Sequence, residues 1–259
     1  MGLNISQSQS LSPFLLSSVP KSGTHLLHQL LIGMPDVFMD INDESKKFFL
    51  SIGMNQRKKL IDHRNRLKKL SANEFGFGHV VFSNQYAALL QELNMKHVFI
   101  YRDPRDVLVS LSYFIKDLWV DHPLHFAFNT KYLTTKSRML VLLRKGKLPF
   151  YRGYEPYYRW SNHKNTFSLS YEDLMISKES REQKLRELVN YLWEDSPPIP
   201  LNDIINKMEQ NIDPKSSYTF RKGKIGNWKD EFDDEMKQIF KKQAGQLLIT
   251  YGFEKDNNW

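Results

Sequence analysis

Short apolar runs alternate with longer amphipathic stretches along this chain. Runs rich in β-branched and aromatic residues are typical of buried strands, and they cover residues 14–19, 78–83, 96–101 and 166–171. Apolar residues at helical spacing predict helices over residues 24–33, 57–70, 85–93, 104–116, 179–194 and 231–250. Strands that alternate with helices form a parallel sheet covered on both faces. We therefore predict an α/β fold, a central parallel sheet flanked by helices, in a single domain spanning residues 1–259.

The first strand and the first helix are joined by a short turn, Pro20-Lys21-Ser22-Gly23-Thr24. A strand that feeds a helix through such a turn directs unpaired backbone N–H groups, a lysine and two hydroxyls at one point. Phosphate or sulfate is the natural occupant of that point. The order differs from the Walker pattern, in which lysine follows the glycine. The alternative is an ordinary strand-to-helix turn that is capped by serine or threonine.

Composition narrows the class of partner. The chain has 259 residues, 41% hydrophobic and 13% aromatic, which is enough for a sizeable core. The formal net charge of +8 favours acidic partners: nucleic acid, an anionic membrane or a phosphorylated small molecule. The absence of cysteine excludes disulfides, cysteine-ligated zinc and a thiol nucleophile. Because we find neither a signal peptide nor an apolar run of membrane-spanning length, we expect a cytoplasmic protein.

Two further segments carry clustered positive charge. A buried strand delivers Arg102 to its carboxyl end, and Pro104 then begins a helix, which places a guanidinium at the same rim of the sheet as the Lys21 turn. Residues 220–229 surround two glycines with four cations and would wrap a phosphate. The alternatives are that Arg102 and Arg105 only pair with the neighbouring aspartates, and that residues 220–229 form a solvated loop.

These segments, in this order, resemble the sulfotransferases that use 3′-phosphoadenosine 5′-phosphosulfate (PAPS), over about residues 13–253. The resemblance implies a P-loop-like nucleotide-binding sulfotransferase fold and no metal. It implies 5′-phosphosulfate binding by a loop that includes Lys21, Ser22, Gly23, Thr24 and His25. It implies that the 3′-phosphate of PAPS and of its product PAP contacts Arg102, Ser110, Arg221, Lys222 and Gly223, and that Phe220 also contacts the cofactor. Tyr171, in a Tyr-Glu-Asp-Leu segment, takes the position of the residue that contacts adenine.

The same resemblance implies a mechanism. An acceptor hydroxyl attacks sulfur in line, so positioning and charge stabilisation dominate the catalysis. Lys21 then stabilises the leaving phosphate, and a neutral histidine takes the proton of the acceptor. His79 occupies the position of the family's catalytic histidine. His122, His125 and His163 lie in aromatic-rich regions that could line the acceptor site.

The chain departs from the family pattern at three places. Phe77 stands where many cytosolic members have a lysine. The aromatic residue that often stacks on adenine is replaced around His25-Leu26, so Trp228 or Phe220 becomes the candidate. The usual dimer segment of the family is not recognisable after Lys229.

Aromatic residues concentrate in the variable middle of the chain. We therefore predict that residues 114–136 and 150–160 form an apolar acceptor pocket for a small alcohol or phenol, such as a natural product. We expect neither nucleic acid nor a membrane as a partner. Packing in the core is the alternative role for each of these rings. Two other functions stay open at this point: a nucleoside or nucleotide kinase, and a non-enzymatic basic module that binds nucleic acid.

Overall fold

A computed structural model describes residues 10–144, 150–216 and 223–259 of the chain. Five parallel strands form one sheet in the order β2-β3-β1-β4-β5. The strands are β1 (Phe14–Ser18), β2 (Lys47–Leu50), β3 (Phe75–Val80), β4 (Lys96–Tyr101) and β5 (Thr166–Ser170). The predicted α/β class with a central parallel sheet is confirmed. Strands β1 and β4 are neighbours although two strands separate them in sequence, and such a reversal of order opens a crevice at the carboxyl edge.

Helices cover both faces of the sheet. In the described residues they are α1 (Thr24–Ile32), α2 (Gln56–Leu67), α3 (Asn84–Glu92), α4 (Pro104–Asp117), α5 (His125–Thr130), α6 (Thr135–Arg144), α7 (Phe150–Tyr158), α8 (Tyr171–Met175), α9 (Lys178–Trp193), α10 (Leu201–Gln210), α11 (Trp228–Glu231) and α12 (Asp234–Thr250). Side chains of β1 alternate between the two apolar layers, because successive strand residues point to opposite faces. Phe14 and Leu16 pack in one layer, and Leu15 packs in the other. None of these helices combines the length and apolar character that a membrane crossing requires.

Strand β2 is absent from the sequence-based prediction, and β3 begins three residues earlier than predicted. The shift of β3 has a structural cause in its two glycines. Gly78 of β3 lies directly under the backbone of Phe48 in β2, where a Cβ atom would overlap the Phe48 carbonyl group. Gly76 likewise lies under the Phe48 ring. Glycine weakens the strand pattern in sequence, yet here it permits the close approach of the neighbouring strand.

The last helix begins later than predicted. Of the helix expected over residues 231–250, only Glu231 belongs to α11, and α12 begins at Asp234, directly after Asp233. The Asp233 carboxylate accepts a hydrogen bond from the backbone N–H of Met236 at 2.8 Å. This is an N-cap contact, which satisfies a donor in the first turn of α12 and ends the preceding segment.

Candidate active site

One large cavity opens at the carboxyl edge of the sheet, with a volume of about 1410 Å³. It brings together most of the residues that the sequence singled out: Lys21, Gly23, Thr24, His25, His79, Arg102, Ser110, Tyr171 and Gly223. Ser22 is fully buried and does not line the cavity. Phe220, Arg221 and Lys222 lie outside the described residues.

The turn between β1 and α1, residues 20–24, has the backbone of an anion site, and we call it the anion turn. Lys21 and Gly23 both have positive φ angles, of 71° and 89°. Alternation of left-handed residues in a turn directs successive N–H groups into one concavity. Helix α1 then begins at Thr24, and Gly23 supplies no side-chain cap to its first turn. The N–H groups of that turn are therefore available to an anion.

Lys21 is a largely buried cation that lines the cavity. Its Nζ lies 3.7 Å from the centroid of the Phe114 ring. Burial, followed by the charge of Arg102, lowers the pKa of Lys21 to about 8. No carboxylate in the described part of the chain lies within ion-pair distance of Lys21. A bound anion would supply the missing opposite charge.

Arg102 both lines the cavity and holds the next segment in place. Its Nη2 donates to the Asp106 carboxylate at 3.0 Å and to the Lys224 carbonyl at 2.8 Å. Asp106 also accepts from the backbone N–H groups of Gly226 and Trp228, at 2.8 and 2.9 Å. The sequence left open whether Arg102 pairs with a neighbouring aspartate or faces a ligand. In the structure it pairs with Asp106, and it lines the cavity as well.

Arg105, by contrast, has a structural environment. Its guanidinium contacts Asp103 at 2.7 Å and Glu254 at 2.6 Å, and it stacks on the Trp228 ring at 3.9 Å. Trp228 lines a separate cavity of about 400 Å³ and not the large one. Stacking of Trp228 on a nucleotide in the large cavity, which we considered from the sequence, is therefore wrong for this structure.

Tyr171 packs against the turn between β1 and α1. Its ring lies over Gly23, where an added Cβ atom would come within 2.9 Å of the ring carbon Cε2. The Arg102 guanidinium stacks on the same ring, 4.4 Å from its centroid. Tyr171 thus joins the anion turn and Arg102 in one wall of the cavity.

His79 lies in β3 and contacts side chains of both neighbouring strands, β1 and β2. Its Nδ1 lies 2.8 Å from the Ser18 hydroxyl, and its ring lies 5.6 Å from that of Phe49. Burial lowers the pKa of His79 to about 4. The imidazole is therefore neutral at pH 7, the form that accepts a proton. The sequence did not single out Ser18 or Phe49. A hydroxyl within a fully buried strand was the available signal for Ser18.

An aromatic wall extends from Lys21 into the rest of the cavity. The ring centroids of Phe114 and Trp119 are 5.8 Å apart, and those of Trp119 and His122 are 4.5 Å apart. Of the aromatic residues proposed from the variable middle, those that line the cavity are Phe114, Trp119, Tyr154 and Tyr157, joined by Phe150. The others do not line it: Phe126, Phe128, Tyr132, Tyr151, Tyr158 and Trp160.

The chemistry available in this cavity combines anion binding, a neutral imidazole and an apolar wall. Within residues 10–144, 150–216 and 223–259, no group of three or more acidic or histidine side chains is arranged to hold a metal ion. The donors that converge on the Lys21 turn are instead suited to phosphate or sulfate oxygens.

Comparison with known proteins assigns the fold. A mouse sulfotransferase, SULT7A1, was solved in complex with PAP. It matches 96% of this chain and 87% of its own at a TM-score of 0.63, with 17% identity. Retinol dehydratase, in complex with androsterone and the inactive cofactor PAP, matches 91% of this chain and 80% of its own at a TM-score of 0.56, also with 17% identity. The chain therefore has the sulfotransferase fold.

Sequence comparison reaches the same family. Mouse sulfotransferase 1E1 is 25% identical over 180 residues, and rat sulfotransferase 1E1 is 24% identical over 175 residues. These matches cover 61% and 58% of this chain, and only 56% and 53% of the relatives' length. The family model described as the sulfotransferase domain matches residues 11–252, nearly the whole chain. This chain belongs to the sulfotransferase family.

Proposed function

We propose that this protein transfers the sulfuryl group of PAPS to a hydroxyl of a small molecule, as a single domain. The observation that carries the proposal is that the anion turn, Arg102, His79 and an aromatic wall share one cavity. Pockets that bind a single small-molecule ligand measure roughly 300–1,000 Å³. The volume of about 1410 Å³ leaves room for a nucleotide and an acceptor together.

The nucleotide would lie along the carboxyl edge of the sheet. The N–H groups of the turn, with Lys21 and Thr24, would hold the 5′-phosphosulfate, and Arg102 and Ser110 would hold the 3′-phosphate. One buried donor supports this arrangement: Nε of Arg102 has no partner among the described residues. Tyr171 would contact the adenine. From the sequence, Arg221, Lys222 and Gly223 complete the 3′-phosphate site, and Phe220 contacts the nucleotide. PAP in the two related structures supports a PAPS and PAP site here.

The transfer needs two groups from the protein. When bound, PAPS supplies an activated sulfuryl group, whose bond to the 5′-phosphate oxygen breaks as the acceptor oxygen bonds to sulfur. His79 takes the proton of the acceptor hydroxyl. Lys21 stabilises the electron pair that remains on the departing phosphate, and its buried position strengthens that interaction.

The charges of the cavity favour an uncharged acceptor over an amine. Among the described lining residues, the charged side chains are Lys21, Lys47, Arg102 and Arg181, and none is acidic. The remaining stretches, residues 1–9, 145–149 and 217–222, contain no aspartate or glutamate. An ammonium group would therefore meet Lys21 without a lining carboxylate as partner. A phenol or an alcohol meets the aromatic wall without this cost.

Labelled PAPS and a matched set of acceptors test the function. We expect transfer to 2-naphthol or 1-naphthylmethanol, and little to 1-naphthylmethylamine, which is charged at neutral pH. Calorimetric titration should show binding of PAP in preference to ATP or duplex DNA. Preference for ATP would indicate a kinase, and binding of DNA with steep salt dependence would indicate a nucleic-acid module. A cytoplasmic site of action stays a prediction from the sequence.

Replacement of His79 by alanine tests the proton acceptor. We expect turnover to fall about 10²- to 10⁴-fold, the usual contribution of a positioned base. PAP affinity should change little, because the imidazole acts on the acceptor. A folded H79A variant that keeps wild-type turnover would remove His79 from this role.

A further inference from the structure

A buried hydrogen-bond chain connects His79 to the anion turn. The hydroxyl of Ser18 lies 2.8 Å from Nδ1 of His79 and 2.7 Å from the hydroxyl of Thr24. Ser18 is the last residue of β1 and is fully buried, and Thr24 is the first residue of α1. The parallel register that pairs Ser17 with Gly78 places Ser18 and His79 at the next position on neighbouring strands. One hydroxyl therefore serves both the imidazole and the turn.

The hydrogen bonds of this series all run in one direction, from donor to acceptor, because the Ser18 hydroxyl donates only one proton. If Ser18 donates to Nδ1 of His79, the ring proton lies on Nε2, and Nε2 cannot accept a proton from an acceptor hydroxyl. If Ser18 donates to Thr24, then Nδ1–H of His79 donates to Ser18, and Nε2 keeps its lone pair.

We propose that Ser18 is a positioning residue, through which an anion bound at the turn selects the tautomer of His79 that acts as a base. Oxygens of a fully ionised phosphate accept hydrogen bonds and do not donate them. The Thr24 hydroxyl, which lines the cavity, donates its proton to such an oxygen and must then accept from Ser18. Ser18 in turn must accept from Nδ1–H of His79. This inference rests on the proposed function, because it makes nucleotide binding prepare the base for the acceptor.

Ser17, on the same strand as Ser18, provides a matched control. Ser17 is also fully buried, and its hydroxyl lies 2.7 Å from Nε2 of His97. His97 is buried, and neither residue lines the large cavity. Ser17→Ala therefore removes a buried serine–histidine hydrogen bond of the same kind, one residue away, without contact with the site.

The first test compares three variants. In Ser18→Ala we expect kcat to fall about 10- to 100-fold, a part of what a positioned base contributes, with an altered pH dependence of kcat. PAP affinity should stay close to that of the wild type. Ser18→Thr, which keeps the hydroxyl, should recover much of the kcat, and Ser17→Ala should leave kcat unchanged. Equal kcat in Ser18→Ala and Ser17→Ala would overturn the inference.

The second test reads the tautomer directly in the wild-type protein. With ¹⁵N-labelled histidine, we expect PAP to increase the share of His79 that carries its proton on Nδ1, and Ser18→Ala to abolish the increase. A His79 ring protonated on Nε2 in the PAP complex would overturn the inference even if Ser18→Ala does not fold. A wild-type protein that binds no PAP would overturn the proposed function as well. Normal sulfuryl transfer with an unresponsive tautomer would overturn this inference alone.

Discussion

At the scale of single residues, Lys21 concentrates the electrostatics of the site. It lies in a left-handed backbone conformation, with φ of 71°, and it is largely buried against the Phe114 ring. Non-glycine residues in this conformation are uncommon, and they persist where the surrounding structure determines them. The left-handed backbone and the contact with Phe114 fix the Lys21 ammonium group beside the turn that would bind a phosphate.

The lowered pKa of Lys21 predicts that PAP affinity depends on pH. In the free protein its pKa is about 8, and a bound phosphate favours the charged form and raises that pKa. PAP affinity should therefore be constant below about pH 7.5 and fall by up to about tenfold per pH unit above pH 8. Calorimetry from pH 7 to 9.5, in buffers of different ionisation enthalpy, should detect the accompanying proton uptake.

Lys21→Arg provides the control for this titration. Arginine keeps its charge throughout the range, so the variant should bind PAP with little dependence on pH. A wild-type affinity that stays flat from pH 7 to 9.5 would show that Lys21 does not contact the nucleotide.

At the scale of elements, the unit formed by β1, the turn and α1 depends on the close approach of α8. Tyr171 begins α8, and its ring leaves no space for a side chain at Gly23. Gly23 also has a φ of 89°, a conformation that L residues rarely adopt. Helix α8 therefore covers the anion turn because residue 23 is glycine.

Gly23→Ala tests this contact against a matched glycine. We expect it to lower PAP affinity about tenfold or more, since Tyr171 or the turn must move to admit the methyl group. Gly53→Ala has a comparable φ of 92° and no atom within 4 Å of the added Cβ. It should cost about 1–2 kcal/mol of stability from backbone strain, with little change in PAP affinity. Similar PAP affinities in the two variants would argue against the Tyr171 contact.

At the scale of the whole molecule, histidines are distributed through both the site and the core. Burial lowers the pKa of His25, His63 and His79 to about 4 and that of His97 to about 3. His63 and His97 contact Tyr86 and Ser17 in the interior, away from the large cavity. The folded state therefore contains several neutral imidazoles that would be protonated in the unfolded chain near pH 5.

This distribution predicts a loss of stability in mild acid. The unfolded chain binds these protons below about pH 6.5, whereas the folded state binds them only near pH 4. Stability should therefore be nearly full at pH 7.5, begin to fall as the pH passes through 6.5 and decrease further toward pH 4, by about 2 kcal/mol or more at pH 5. Denaturant titrations at pH 7.5 and 5.0 measure the difference. Equal free energies of unfolding at the two pH values would contradict the prediction.

Local patterns of residues are sufficient to predict the strands and helices that border the site and the chemistry at their ends. Strand β4 matches its predicted range, and β1 and α1 end one residue before theirs, because apolar period and turn residues are local signals. The turn that holds Lys21 and the arginine at the end of β4 were predicted on the same basis. The cavity confirms that both lie at the rim of the sheet.

Which of these groups meet depends on contacts between residues that are distant in the sequence. Ser18 and His79 are 61 residues apart, and the order and register of β1 and β3 bring them together. Phe49 lies beside His79 because β2 pairs with β3. Tyr171 covers Gly23 because β5, which is parallel to β4, ends at the same edge of the sheet. Such contacts depend on which strands become neighbours. That choice follows from the packing of the whole chain, and no local pattern of residues encodes it.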